Sequence, residues 1–146
     1  MKLMIATAAA TLTLAGAAFA ESHAGSGDAA AGETEFNKCK SCHMIVADDG
    51  TEIVKGGRTG PNLYGIIGRQ AGSVEDFRYG DSLVAAGEAG LVWDEETFVA
   101  YVQDPRGFLR EYLEDDGARS KMSYRLRSGM EDVYAYLVSV GPDSGS

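Results

Sequence analysis

The chain has 146 residues, with 13 basic and 22 acidic side chains and a formal charge of −9. An average field of that sign repels phosphates and excludes non-specific nucleic-acid binding, although it can conceal a local basic patch. The length suits one small domain with one core.

The chain opens with Lys2, runs uncharged from Leu3 to Ala20, and closes that run with Ala18-Phe19-Ala20 before Glu21. This order predicts a secretory signal, residues 1–20, removed after Ala20. The run is only weakly apolar, with three threonines and Gly16, which disfavours reading it as a membrane anchor. Its removal takes the 146 residues down to 126 and leaves 12 basic side chains against the 22 acidic ones.

Residues 21–27 are small and polar and read as a flexible tail. Order is expected from Asp28, an N-cap for a helix through Phe36 that sets Gly32 and Phe36 on one face. From Ala47 to Arg69 the chain carries Asp49-Gly50, Gly56-Gly57, Gly60-Pro61 and Gly65, which predicts loop. A second helix follows Asp94, with Phe98, Tyr101 and Val102 on one side, and ends at Asp104-Pro105. A short one is expected over Phe108 to Leu113. The last helix has the clearest period, in Met130, Val133, Tyr134, Leu137 and Val140. The ordered domain is placed at 28–141, with a flexible C-terminal tail at 142–146. The expectation is an all-α fold of three to five short helices and long loops, whose thin core needs a large apolar group to pack on.

Cys39-Lys40-Ser41-Cys42-His43 is C-x-x-C-H, the pattern of covalent haem attachment. Two thiols at this spacing can add to the vinyl groups on one edge of a porphyrin, and the next residue brings an imidazole to the iron. The same spacing is too short to close a useful disulfide loop. A thioredoxin-like redox pair would need a βαβ setting, and structural zinc would need a second ligand pair. The cofactor expected is therefore one haem c, bound through Cys39 and Cys42, with His43 on its iron.

A sixth iron ligand, or its absence, separates electron transfer from ligand binding. Met44 follows His43 too closely to reach across. Met130 lies on the apolar face of the last helix and reads as core. Met122 sits in the polar, non-periodic stretch Arg119-Ser120-Lys121-Met122-Ser123-Tyr124-Arg125, where a ligand role accounts for a thioether better than packing does.

Several separated motifs share one order: Gly32 and Phe36, the C-x-x-C-H, Thr59-Gly60-Pro61-Asn62-Leu63-Tyr64-Gly65, Gly68-Arg69, Phe77-Arg78-Tyr79, Leu91-Val92-Trp93 and Lys121-Met122-Ser123-Tyr124. With them the chain resembles a class I c-type cytochrome, nearest the bacterial cytochrome c2 and c-550 group, from about Asp28 to Val140. The resemblance implies the class I cytochrome c fold wrapped around one haem, with Met122 as axial ligand opposite His43. It implies that the Pro61 carbonyl orients the His43 ring, that Arg69, Tyr79 and Trp93 serve the haem propionates, and that Tyr101 lies near the axial sulfur. By itself Arg69 would read as a surface arginine, and Tyr79 and Trp93 as core aromatics. Gly32, Phe36, Val133 and Tyr136 match a contact between the first and last helices. The segment from Met44 to Gly60 is longer than in mitochondrial relatives, Tyr124 replaces a common Phe, and the acidity departs from their basic character.

The function implied is a periplasmic one-electron carrier, monomeric and not an enzyme. By resemblance it accepts electrons from the cytochrome bc1 complex and passes them to a terminal oxidase, a photosynthetic reaction centre, or both. Lys38, Lys40, Arg119, Lys121, Arg125 and Arg127 all lie near the haem cysteines or Met122 in sequence, which predicts a basic docking rim on an acidic molecule. Two alternatives stay open: a five-coordinate haem enzyme or gas-binding protein, and a membrane-tethered cytochrome subunit.

Overall fold

The structure is a computed structural model that describes residues 25–142. The expected signal, residues 1–20, and residues 143–146 of the expected C-terminal tail lie outside the described residues. Among those described are five short α-helices and one small β-ribbon.

Helix α1, Ala29–Glu35, starts where the Asp28 carboxylate accepts a hydrogen bond from the Ala31 N–H at 2.8 Å, satisfying one of the unpaired amides of the first turn. It runs into a 3-10 turn, Phe36–Lys38. Helix α5, Met130–Ser139, buries Val133, Tyr134, Tyr136 and Leu137. The two helices cross with Gly32 against the Asp132 carbonyl, and a Cβ at Gly32 would stand 2.8 Å from Tyr136 Cβ. Any side chain there would drive the helices apart. Beside this crossing the Phe36 and Tyr136 rings lie 5.6 Å apart.

Gly25, Ser26 and Gly27 fall within the expected tail, yet they are held. The Glu95 carboxylate accepts hydrogen bonds from the Ser26 N–H at 2.7 Å and hydroxyl at 2.6 Å, and Asp132 accepts one from the Asp28 N–H at 2.8 Å. The segment thus ties Glu95 to the start of α5.

Helix α3, Glu95–Gln103, opens on a reciprocal cap: Asp94 accepts from the Thr97 N–H, and Thr97 Oγ1 accepts from the Asp94 N–H. It buries Phe98, Tyr101 and Val102, as the periodicity predicts. Helix α4, Pro105–Tyr112, starts three residues before the expected Phe108. Pro105 that stops α3 also begins α4, because a proline at the first helical position loses no hydrogen bond.

Two elements depart from expectation. Helix α2, Asp81–Glu88, had no strong apolar period to announce it, since its buried face is Ala86 and Gly87. Within the expected loop, strand β2, Glu52–Val54, pairs antiparallel with β1, Ile45–Val46, with an irregularity between Ile45 and Val46. The core joins Phe36, Ile45, Leu91, Trp93, Phe98, Leu109, Val133 and Leu137. None of the helices among the described residues is long and apolar enough to cross a membrane.

Candidate cofactor-binding site

The 3-10 turn delivers Cys39 directly to the site. The N–H groups of Cys42 and His43 then return to the Cys39 carbonyl at 3.1 and 3.0 Å, so the C-x-x-C-H stretch forms a single tight turn. A glycine-rich loop lies along it, with Gly57 N–H on the Lys40 carbonyl, Gly60 N–H on Cys42 and Leu63 N–H on Met44. This alignment sets the Pro61 carbonyl 2.8 Å from His43 Nδ1. Nδ1 is then the donor, which leaves Nε2 as the nitrogen with a free lone pair. A methyl group at Gly60 would overlap the imidazole itself. Asn62 fixes the loop: its Oδ1 accepts from the Val46 and Tyr64 N–H groups, and its Nδ2 donates to the Val46 carbonyl.

These residues open onto a cavity of about 380 Å³. Cys39, Cys42, His43 and Pro61 line it, as do Tyr79, Trp93, Tyr101 and Met122, with apolar walls from Leu63, Ile66, Leu83, Val102, Leu126, Val133 and Leu137. Trp93 and Tyr101 are buried with ring centroids 4.9 Å apart. The Tyr101 hydroxyl lies 3.3 Å from Ser120 Oγ. The Tyr79 hydroxyl is buried with no hydrogen-bond partner, a donor left waiting for an acceptor.

The electrostatics follow burial. Cys39 is pushed up to about 11, chiefly by burial and further by the Glu35 carboxylate, whereas the exposed Cys42 is held below the usual thiol value by the Thr59 and Ser41 hydroxyls. Burial lowers His43 despite the acceptor at Pro61, so the ring is kept neutral and able to bind a metal. Burial raises the Tyr79 hydroxyl, and the nearby Val74 backbone and Arg69 charge only temper that rise. The Val74 backbone is close without completing a hydrogen bond.

The residues predicted to hold the cofactor therefore converge, with one exception. Arg69 faces a second, polar hollow beside Asp48, Asn62, Tyr64, Ser73, Val74 and Glu75, outside the cavity lining. Its backbone is paired with that of Trp93, whose N–H donates to the Arg69 carbonyl at 3.0 Å. Of the other methionines, neither Met44 nor Met130 lines the cavity. All six basic residues of the expected rim are exposed. Lys38 is paired with Glu35 and Arg125 with Asp104, while Lys121 donates to the Arg78 carbonyl. Sequence reasoning assigned no role to Asn62 or Ser120. Asn62 directly follows the Gly-Pro pair, where an amide can satisfy a turn's backbone groups, and that signal could have found it.

Two free thiols, a neutral imidazole with one nitrogen available, a thioether, an apolar cavity and an orphaned hydroxyl together fit a covalently bound haem. The class so defined is that of the c-type cytochromes. No family model matches the chain. Curated relatives and solved structures do. The chain is 71% identical over 118 residues to cytochrome c-551 of Roseobacter denitrificans, covering 81% of this chain and 84% of that one. It is 55% identical over 141 residues to cytochrome c2 of Rhodobacter capsulatus, covering 96% and 98%. The X-ray structure of ferric cytochrome c-550 from Paracoccus versutus superposes with a TM-score of 0.76 at 51% identity, covering 78% of this chain and 98% of that one. The chain belongs to the cytochrome c2 and c-550 family, small all-helical electron carriers with one covalently attached haem c.

Proposed function

We propose that the chain is a periplasmic one-electron carrier in which His43 and Met122 both bind the haem iron, leaving no open coordination position. The observation that carries this reading is that His43 and Met122 share one cavity with the two thiols, while Pro61 engages Nδ1 and leaves Nε2 for the metal. The haem, when bound, supplies a reversible ferric and ferrous couple, which a thioether ligand and an apolar pocket bias toward the ferrous form. The chain's residues hold both ligands in both states and exclude water. Tyr79 offers its unpaired hydroxyl to a propionate, Trp93 lines the same cavity, and the Arg69 charge is near enough to act on the Tyr79 hydroxyl. Nothing in this task needs an acid, base or nucleophile, so the protein is a carrier and not an enzyme.

The signal-like residues 1–20 support export to the periplasm. The donor is the cytochrome bc1 complex, and the acceptor a terminal oxidase, a photosynthetic reaction centre, or both. Docking uses the basic rim, of which Lys38, Arg119 and Lys121 line the cavity. A backbone carbonyl does not neutralise Lys121, so Lys40, Arg119, Lys121 and Arg127 carry charge with no ion pair among the described residues.

The test is the red absorption spectrum of the ferric protein, where a sulfur-to-iron charge-transfer band reports bound methionine. The band is expected in the wild type and absent in Met122→Ala. A wild type without the band, high-spin at neutral pH, would leave the iron open and move ligand binding or peroxide chemistry to first place.

A further inference from the structure

The segment that carries Met122 has no helix or strand of its own: between α4 and α5 the chain runs from Asp115 to Gly129 without a regular element. A free segment of this length would sample many conformations, so its position must be imposed from outside. The tethers can be traced. On its far side, Leu126 N–H donates to the Val102 carbonyl at 2.8 Å, and Arg125 pairs with Asp104. On its near side, Arg119 N–H donates to Ser82 Oγ at 3.0 Å, and Lys121 Nζ donates to the Arg78 carbonyl at 2.9 Å. The Lys121 stem also lies across Gly80, where a Cβ would stand 3.3 Å from its Cγ.

Met122 is thus bracketed by two sets of bonds, to α3 and its end on one side and to the start of α2 on the other. We infer that residues 78–82 form a clasp on the Met122 segment, and that the Ser82 hydroxyl is a positioning residue that keeps the segment closed over the cavity. Ser82 is the first-turn side chain of α2 that reaches the segment, and it accepts from a main-chain amide, so the bond fixes the backbone three residues before Met122. Gly80, Leu83, Arg119, Lys121 and Met122 all line the cavity, so the clasp forms part of its wall. Helix α2 is itself anchored behind the clasp, with Gly87 packed against the Ala71 carbonyl and Ala86 fully buried. The clasp therefore connects the segment to a rigid element.

This inference rests on the proposed ligation by Met122, and its test separates the two. A ligand such as imidazole can reach the iron only when the Met122 segment opens, so its apparent affinity scales with the open fraction. In the haem-loaded ferric protein, imidazole titration followed by loss of the charge-transfer band should show Ser82→Ala binding about tenfold tighter than wild type, the equivalent of one net hydrogen bond. Exchange of the Arg119 amide should accelerate by a similar factor. Ser82→Thr, which retains a hydroxyl, should restore both. Ser139→Ala, which removes a hydroxyl bonded to the Tyr136 carbonyl on α5, should change neither. Lys121→Met keeps the stem over Gly80 but loses the bond to Arg78, and supplies a second weakening of the clasp should Ser82→Ala fold poorly. A wild-type band with unchanged imidazole affinity and Arg119 exchange in both variants would overturn the clasp. A wild type that lacks the band would overturn the ligation and the positioning role together.

Discussion

Replacing Gly60 by alanine tests how the His43 ring is held. The added Cβ would stand 2.6 Å from Nδ1 and 2.8 Å from Nε2 of His43, and would overlap Cε1 outright. The backbone at Gly60 is not in the left-handed region, so the substitution carries no conformational strain. On its own it would stabilise the protein by about 0.4–1 kcal/mol through the unfolded chain. Against that stand overpacking, about 1–3 kcal/mol, and the His43–Pro61 hydrogen bond, which a tilted ring forfeits at about 0.5–1.5 kcal/mol. The clash wins by roughly 1–3 kcal/mol. At about 4 °C per kcal/mol for a domain of this size, thermal unfolding of the haem-loaded protein should fall by about 4–12 °C. The His43 ring resonances and the reduction potential should move with it. Gly50→Ala is the control: at φ 86° it is strained, but no atom lies within 4 Å of its Cβ, so it should cost about 1–2 kcal/mol and leave both the resonances and the potential unchanged. Wild-type Tm and unshifted His43 resonances in Gly60→Ala would mean that contact with Gly60 does not hold the ring.

Two further outcomes follow from the surface and from the buried tyrosines. If the basic rim guides docking, reduction by a membrane fraction should slow as ionic strength rises through about 0.1 M, where the Debye length is about 10 Å. Lys40→Gln and Arg127→Gln should each flatten that dependence, and rates indifferent to salt would remove the rim from the account. Burial raises Tyr134, with Glu95 and Asp94 adding to it, and it raises Tyr136, with Glu33 adding. Their rings are buried while their hydroxyls lie nearer the surface, so the effect is modest. The folded state keeps these protons after the unfolded chain has begun to lose them. Stability is therefore full below the unfolded value of about 10 and falls as pH rises from there through the raised folded values. Denaturant titrations at a series of alkaline pH values should show that fall, shallower in Tyr136→Phe; a slope unchanged by the substitution would contradict it.

What the sequence made legible divides along physical lines. The ends of α1, α3 and α5 were readable because each carries a local signal: the Asp28 cap, the Asp94 cap with Pro105 beyond, and the Met130 to Val140 period. The convergence of Cys39, Cys42 and His43 needed only adjacent residues. Met122 was singled out for the opposite reason, because a thioether in a polar, aperiodic stretch lacks a packing explanation. Helix α2 escaped because it docks through Ala86 and Gly87, and small residues that permit close approach leave no apolar period behind. The β-ribbon escaped because two- and three-residue strands are shorter than any alternation can reveal. Arg69 illustrates a further limit. The family resemblance grouped it with Tyr79 and Trp93 at the expected propionates, and its backbone does pair with Trp93, but the side chain turns into the polar hollow beside Tyr64. Chain order conveys where a backbone goes more securely than where a long, flexible side chain points.

The cavity also bears on what holds the fold together. Trp93, Phe98, Tyr101, Val102, Leu126, Val133 and Leu137 belong at once to the core and to the cavity wall, so the centre of the domain is the space proposed for the haem. Without the haem these apolar side chains would face solvent on one side and lose the packing partners that a close-packed interior supplies. The short helices cannot compensate, because 7 to 10 residues are too few for a helix to persist without packing. The haem-free chain, made as Cys39→Ala, Cys42→Ala so that no thioether can form, should therefore lack cooperative unfolding and fixed aromatic circular dichroism. The α1–α5 crossing at Gly32 is the contact best placed to survive, since Gly32, Phe36 and Tyr136 lie outside the cavity lining. Amide exchange should show residual protection there and none in α2 or the Met122 segment. A haem-free chain that unfolds cooperatively with native-like near-ultraviolet signals would mean that the walls close on themselves, and that the protein core is sufficient without its cofactor.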